Sequence, residues 1–170
     1  MKKGDRYDIS CLIENQYEEG SGGLVLKNLR GIKDKKNMER HETRKLVRAT
    51  DQLIDHYSRE HNFTARDICH MHKMWLGSIY EWAGCYRQVF ISKGDFPFAS
   101  PAFIPQLMDE FENDILKLYT PCIFSARQEV IHALAVVHVE LLLIHPFREG
   151  NGRVSRLLAT LMGFQAGLPF

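Results

Sequence analysis

The sequence predicts a mainly α-helical domain carrying one β-hairpin. Three observations lead there. Apolar residues recur at three- and four-residue spacing in several separate segments. One short run, Tyr86 to Ser92, is instead rich in strand formers and is followed by a Lys93-Gly94-Asp95 turn. No series of alternating strands and helices exists, which excludes a doubly wound parallel sheet. At 170 residues one domain is expected. Apolar residues are 45% and charged residues 25%, an ordinary globular balance that needs no structural metal or disulfide to build a core. The net charge of +1 provides no global field toward nucleic acid or an anionic membrane, so neither is an expected partner.

Residues 1–35 read as a lead-in that docks on a core formed by 36–170. Within it Glu18-Glu19-Gly20-Ser21-Gly22-Gly23 is a turning segment. It lacks the GK[ST] that would complete a phosphate loop. Leu24, Val25, Leu26 and Leu29 are the expected anchors. A first helix spans about Lys36 to Glu60, with Leu46, Ala49, Leu53 and Ile54 inward. Its many basic residues are interleaved with Glu39, Glu42 and Asp51, the pattern of a solvated face rather than a nucleic-acid surface. Thr64 and Asp67 form a capping box for a second helix running through Met71, Trp75 and Ile79 to about Gly84.

The hairpin pairs Tyr86–Ser92 with Phe96-Pro97-Phe98, where Pro97 requires an edge position and Phe96 and Phe98 pack on the core. Ser100-Pro101 then caps a helix carrying Ile104, Leu107, Met108, Phe111 and Ile115. After Pro121 a strongly apolar helix runs from Ala126 to Ile144 and is expected to be the central buried one. A last helix covers Asn151 to Gln165, ended by Gly167 and Pro169.

The cysteines, Cys11, Cys69, Cys85 and Cys122, lie far apart without a CxxC pair, as in reduced cytoplasmic proteins. MKKGDRYDIS has no apolar run of the kind a secretory signal carries. The Ile131–Ile144 stretch contains His132, His138 and Glu140 and is too short to span a bilayer.

Chemistry concentrates in His145-Pro146-Phe147-Arg148-Glu149-Gly150-Asn151-Gly152-Arg153-Val154-Ser155-Arg156. This segment joins the apolar helix to the last one. A helix N-terminus offers unpaired N–H groups and the positive end of a dipole to an anion. Gly150 and Gly152 permit close backbone approach, and Asn151 adds a side-chain donor. Arg153 and Arg156 lie on neighbouring parts of one helical face and can both reach phosphate oxygens. Glu149 is the single carboxylate that commonly holds Mg²⁺ beside substrate phosphates. His145 can take a proton near neutral pH. Phe147 is the apolar residue expected to pin the loop to the core. The residues thus suggest a polyphosphate site with a metal carboxylate and a base. Convergence of His70, His72, His138 and His145 on a hydrolytic metal is disfavoured, because His70 and His72 are two apart on one helix and face apart.

HPFREGNGRVSR matches HxFx(D/E)GNGRxxR without a departure, and on it the chain resembles the Fic-domain family (filamentation induced by cAMP). Val25-Leu26-Lys27-Asn28-Leu29 with Gly31-Ile32, Tyr80-Glu81-Trp82-Ala83-Gly84, and the hairpin from Ile91 to Phe98 are similar to segments of bacterial members. The resemblance implies a Fic-type helical core with a β-hairpin flap. It implies transfer of AMP from ATP to a Tyr, Thr or Ser hydroxyl of a target protein. His145 would be the base and Glu149 would hold Mg²⁺. Gly150, Asn151 and Gly152 would form the anion hole, with Arg153 on the β-phosphate and Arg156 on the γ-phosphate. Death-on-curing kinases of the same fold resemble a motif with lysine at the second glycine, so Gly152 favours adenylyl transfer. Removal of AMP, transfer of other phosphate-linked groups, Fic-like kinase chemistry, and an inactive or differently specific nucleotide-binding regulator remain alternatives.

Two further expectations come from the resemblance. Val89, Phe90 and Ile91 would either form an edge that pairs with an extended target segment or pack the hairpin down. Ser10-Cys11-Leu12-Ile13-Glu14-Asn15 fits the inhibitory pattern (S/T)xxxE(G/N), in which Glu14 would meet Arg156. The region around Asn28 is similar to toxins held by a separate antitoxin. Similar proteins often continue past the last helix, so some packing support or a wall of the adenine pocket is expected from beyond Phe170.

Overall fold

The structure, a computed structural model, describes residues 12–169. Ser10 and Cys11 of the inhibitory pattern lie outside them. Helix α1 (Lys35–His56) starts where the Asp34 carboxylate accepts from the Asn37 N–H, and α2 (Ala65–Leu76) follows. Strands β1 (Ser92–Lys93) and β2 (Phe96–Pro97) pair antiparallel in the register Ser92↔Pro97 and Lys93↔Phe96. A 3₁₀ turn at Pro101–Phe103 opens α3 (Ile104–Glu110). A π-helical stretch (Phe111–Leu116) carries it into α4 (Lys117–Tyr119). Helices α5 (Arg127–Ile144) and α6 (Asn151–Gln165) complete the order. The helices pack as α5 on α6 and α1 on α2, with α2 also against α6. Leu53, Ile68, Met71, Trp75, Leu76 and Leu158 are sealed where these helices meet.

The capping box forms as the sequence suggests. Thr64 Oγ1 accepts from the Asp67 N–H at 3.2 Å, and Asp67 Oδ2 accepts the Thr64 N–H at 2.9 Å. The helix ends sooner than expected, at Leu76, and winds through turns to Gly84. Trp75, Ile79 and Tyr80 still point into the core.

Of the four expected lead-in anchors, Val25 and Leu26 are buried, while Leu24 and Leu29 stand out in solvent. What fixes this segment is polar. The Asn28 side chain accepts from the N–H groups of Arg30 and Ile32 and donates to the carbonyls of Leu26 and Ile32. The Leu29 N–H then reaches the Ile79 carbonyl at 2.8 Å, docking the turn beside the end of α2.

Helix α5 is not enclosed on all sides. Val130, Ala133, Val137, Leu141 and Ile144 form its buried stripe, while Ile131, Val139 and Leu143 are about half exposed. A helix apolar all round carries no periodic signal to say which face is covered. The hairpin is also shorter than expected. Arg87 lies inside the fold and donates to the Val89 and Ala99 carbonyls, so those groups are taken by a guanidinium and not by a ladder. Phe96 is exposed, and Phe98 stacks on His145 instead of entering the core. Ser100 makes no side-chain cap. Cys69, Cys85 and Cys122 are free thiols.

Thr64→Ala removes the cap acceptor and leaves Asp67 without one of its donors. It should cost about 1 kcal/mol, lowering the melting temperature by about 2–4 °C for a domain of this size. An unchanged thermal melt would show that α2 is held by its packing alone.

Candidate active site

The loop from His145 to Gly150 joins α5 to α6, and two left-handed residues shape it. His145 ends α5 at φ 54, ψ 59, a conformation usually given to glycine at a helix C-terminus. Gly150 starts α6 at φ 86. A Cβ on Gly150 would sit 2.7 Å from Trp75 Cζ3, so this position admits only glycine. The Asn151 side chain closes the loop. Its Oδ1 accepts the Phe147 N–H at 2.8 Å, and its Nδ2 donates to the Phe147 carbonyl at 2.7 Å. Asn151 is therefore engaged within the loop and buried. The sequence reading aimed this side chain at an anion; here both of its polar atoms are engaged by the Phe147 backbone. Phe147 is fully buried and stacks on His72 with ring centroids 3.9 Å apart.

His145 carries its imidazole in a defined tautomer. A carbonyl can only accept, so the 3.0 Å contact to the Leu142 oxygen requires a proton on Nδ1. The neutral ring then has its lone pair on Nε2. Phe98 covers one face at 3.7 Å between centroids. Burial lowers the His145 pKa below its ordinary value, and the Arg87 and Lys93 charges push the same way. The Leu142 bond and the Glu149 charge oppose them without prevailing. At neutral pH the ring is an uncharged base.

The start of α6 presents its own donors. Among the described residues, the N–H groups of Asn151 and Gly152 have no partner, as at any uncapped helix N-terminus. The Gly150 N–H is taken by Glu149 Oε1 at 2.9 Å, which places a carboxylate where an anion would bind. A Cβ on Gly152 would meet only Arg156 Nη1, at 3.6 Å, so the protein itself leaves this position open. Arg153 is held on three sides: Nη1 to Glu42 at 2.6 Å, Nη2 to Glu149 at 3.2 Å, and Cζ 4.5 Å over the Trp75 ring. Arg156 is exposed and forms no ion pair among the described residues.

Four residues that the sequence reading passed over support this loop. The buried His72 accepts the Gly84 N–H on Nδ1 at 2.8 Å, so its Nε2–H donates to the Glu149 carbonyl at 3.0 Å. Burial drives its pKa down to about 4, with Arg153 and Lys73 adding repulsion and the Glu149 bond resisting. Arg87 donates through Nε to the His145 carbonyl at 2.8 Å, while its backbone N–H reaches the Pro146 carbonyl at 2.9 Å. Glu42 accepts the Tyr80 hydroxyl at 2.8 Å. Burial, reinforced by the Glu42 charge, holds that hydroxyl well above the usual tyrosine range, so it stays a donor. Phe98 is the fourth, already placed on the His145 ring. The available signal was the lone Arg87 inside an apolar strand-like run. His72 and Glu42 carried none.

The flap residues divide between the two expected roles, and Glu14 has partners other than Arg156. Val89 is buried in the fold, Phe90 is 71% exposed, and Ile91 lies between, its carbonyl accepting the Phe98 N–H. Only Phe90 of the three offers its side chain fully to solvent. Glu14 is buried. Its Oε1 accepts the Gln88 N–H at 2.7 Å and its carbonyl accepts Arg148 Nε–H at 3.0 Å. Arg148 and Arg87 are the charges upon it, not Arg156. The four histidines do not converge. His70 rests against His56, His138 bonds Ser155, and no group of three or more metal-ligating side chains occurs among the described residues.

A family model described as Fic/DOC family matches residues 62–162. Among curated proteins the chain is similar to protein adenylyltransferase Fic of Nematostella vectensis, 34% identical over 114 residues, covering 64% of this chain and 24% of that protein. It is 32% identical over 149 residues to protein adenylyltransferase VbhT of Bartonella schoenbuchensis, covering 84% of this chain and 30% of that protein. The chain thus spans under a third of these relatives' length. Among solved structures, BepC of Bartonella tribocorum with bound AMPPNP superposes with a TM-score of 0.74 at 26% identity, covering 91% of this chain and 79% of that one.

The His72 tautomer generates a stability test. The unfolded chain takes up the His72 proton near pH 6.5, whereas the folded chain takes it up only near pH 4. Between these values the unfolded state binds more protons, so stability falls as pH falls. From pH 7 to pH 5 the loss through this group should be about 2 kcal/mol. Urea unfolding at both pH values measures it, and His72→Gln should show a shallower drop. An equal drop in the variant would mean other groups carry the acid sensitivity.

Proposed function

The chain belongs to the Fic/DOC family, and on that premise we propose that it is a protein adenylyltransferase, moving AMP from ATP to a hydroxyl side chain of a target protein. The observation that carries this reading is the His145 tautomer: a neutral imidazole with its Nε2 lone pair available, on the loop that leads into the start of α6, which supplies two unpaired N–H groups and two arginines.

On this reading Nε2 of His145 removes the proton of the target hydroxyl, whose oxygen attacks the α-phosphorus. The bond to the β-phosphate oxygen breaks and pyrophosphate leaves. The N–H groups of Asn151 and Gly152 face the charge that builds on the α-phosphate oxygens. Arg153 holds the β-phosphate and Arg156 reaches the γ-phosphate. Positioning and charge stabilisation do most of the work, as in other phosphate transfers. The open space at the Gly152 Cβ position fits a donor whose α-phosphate lies close to the backbone. A lysine there, as in the related kinases, would fill that space.

Glu149 fits a Mg²⁺ ion, being a half-exposed single carboxylate beside the phosphate-binding N–H groups. The ion would neutralise charge on the α- and β-phosphates. Glu149 would then exchange its Gly150 and Arg153 contacts for the metal. The described part of the hairpin supports a narrower flap than Val89 to Ile91: Phe90 is the side chain able to meet a target segment. The engagement of Glu14 with Gln88, beside Arg148 and not Arg156, argues against restraint by this segment; a separate antitoxin is the partner the proposal keeps. Among the described residues no helix is long and apolar enough to cross a membrane, and action in the cytoplasm is part of the proposal.

Purified protein with Mg²⁺ and a cell lysate should incorporate label from α-labelled ATP and none from γ-labelled ATP. His145→Ala should reduce incorporation at least about a hundredfold. The rate should rise with pH through a midpoint below the ordinary histidine value and be level at pH 7–8, because the base is the deprotonated ring and burial lowers its pKa. Label from the γ position alone would replace adenylyl transfer by kinase chemistry.

A further inference from the structure

Glu42 lies in α1, 111 residues before Arg153 and outside the motif. Both of its carboxylate oxygens are engaged, Oε1 by the Tyr80 hydroxyl and Oε2 by Arg153 Nη1. Its backbone carbonyl accepts Trp75 Nε1–H at 2.9 Å, and the same Trp75 ring lies under the Arg153 guanidinium. One residue thus fixes both the edge of the guanidinium and the ring beneath its plane. Glu42, Tyr80, Glu149 and Arg153 line a common cleft of about 160 Å³.

The two carboxylates on Arg153 are unlike. The Glu42 side chain is 6% exposed and the Glu149 side chain 46%. A buried carboxylate without its cation is costly, so Glu42 stays with Arg153. A half-exposed carboxylate is solvated on leaving, so Glu149 is free to exchange partners. The fork therefore has one fixed edge and one edge that can be handed over.

We infer that Glu42 is a positioning residue for phosphate recognition: it holds Arg153 by Nη1 over Trp75, while Nη2 passes from Glu149 to the β-phosphate. The inference rests on the adenylyl-transfer reading, in which Arg153 meets that phosphate. Its signature is selectivity among nucleotides. ADP and ATP have a β-phosphate and AMP does not, so removing Glu42 weakens the first two and spares the third.

The test is calorimetric titration of ADP and of AMP, each with Mg²⁺, into the wild type, Glu42→Gln, Arg153→Ala and the double variant. Wild type should prefer ADP, and Arg153→Ala should abolish that preference. Glu42→Gln should weaken ADP about tenfold, leave AMP unchanged, and add nothing in the Arg153→Ala background. Glu42→Asp, which keeps the charge on a shorter arm, should restore part of the ADP affinity. It also serves as the test variant, read by the same outcomes, should Glu42→Gln not fold. Equal weakening of ADP and AMP, full additivity with Arg153→Ala, or unchanged or tighter ADP binding in Glu42→Gln would each overturn the inference. If Arg153→Ala shows an ADP preference equal to wild type, or wild type has none, the reading of Arg153 falls and takes this inference with it. An Arg153-dependent preference that Glu42→Gln leaves intact removes only the role of Glu42.

Discussion

The hydrogen-bond pair between the Asn151 side chain and the backbone of Phe147 is the constraint on which the site depends. It imitates a backbone pairing across a loop too short to pair with itself. With both polar groups of Phe147 satisfied, the ring can be buried without leaving an orphan donor or acceptor beneath it. That burial sets the loop against α2, where His72 takes the Glu149 carbonyl and Trp75 leaves room only for glycine at position 150. The first turn of α6, with its open N–H groups, is consequently aimed by an amide that touches no anion. This is a different use of Asn151 from the one its place in a glycine-rich turn suggests.

Arg87 provides the second constraint. Helix α5 ends on unpaired carbonyls, the negative end of its dipole. A buried guanidinium caps the His145 carbonyl there and shares its other nitrogens with Val89 and Ala99, one on each side of the hairpin. The base of the flap and the backbone of the proposed catalytic base are thereby one hydrogen-bonded unit. Glu14 joins it through the Gln88 N–H and the Arg148 side chain, bringing the lead-in against the same loop. A shift of the hairpin therefore acts on His145 through Arg87 and through the Phe98 ring stacked upon it.

What was legible in the sequence was what local rules determine. The Thr64–Asp67 box, the positions of α1, α5 and α6, and the clustering of the twelve-residue motif follow from caps, periodicity and contiguity. The hairpin turn was legible too, but its length was not, because a side chain from outside the ladder takes the carbonyls. The exposed side of α5 was hidden for a related reason: Ile131, Val139 and Leu143 differ from their buried neighbours only in what lies across from them. The fold class and the motif residues could be named in advance. Glu42, His72 and Arg87 could not, since each acts across 58 residues or more of chain.

The two arginines of the motif show why the tertiary partners matter. They are three residues apart on one helix and equivalent in sequence terms. Arg153 stands over Trp75 between two carboxylates, so its side-chain entropy is lost on folding and binding need not supply it. Arg156 is exposed and retains its rotamers until something meets it. In the proposed reaction, an immobile guanidinium suits the phosphate next to the bond that breaks, where a misplacement of about 1 Å is costly. A mobile one suits the far end of the leaving group, where reach matters more than angle. The division follows from where Glu42 and Trp75 stand, and a motif match alone does not contain it.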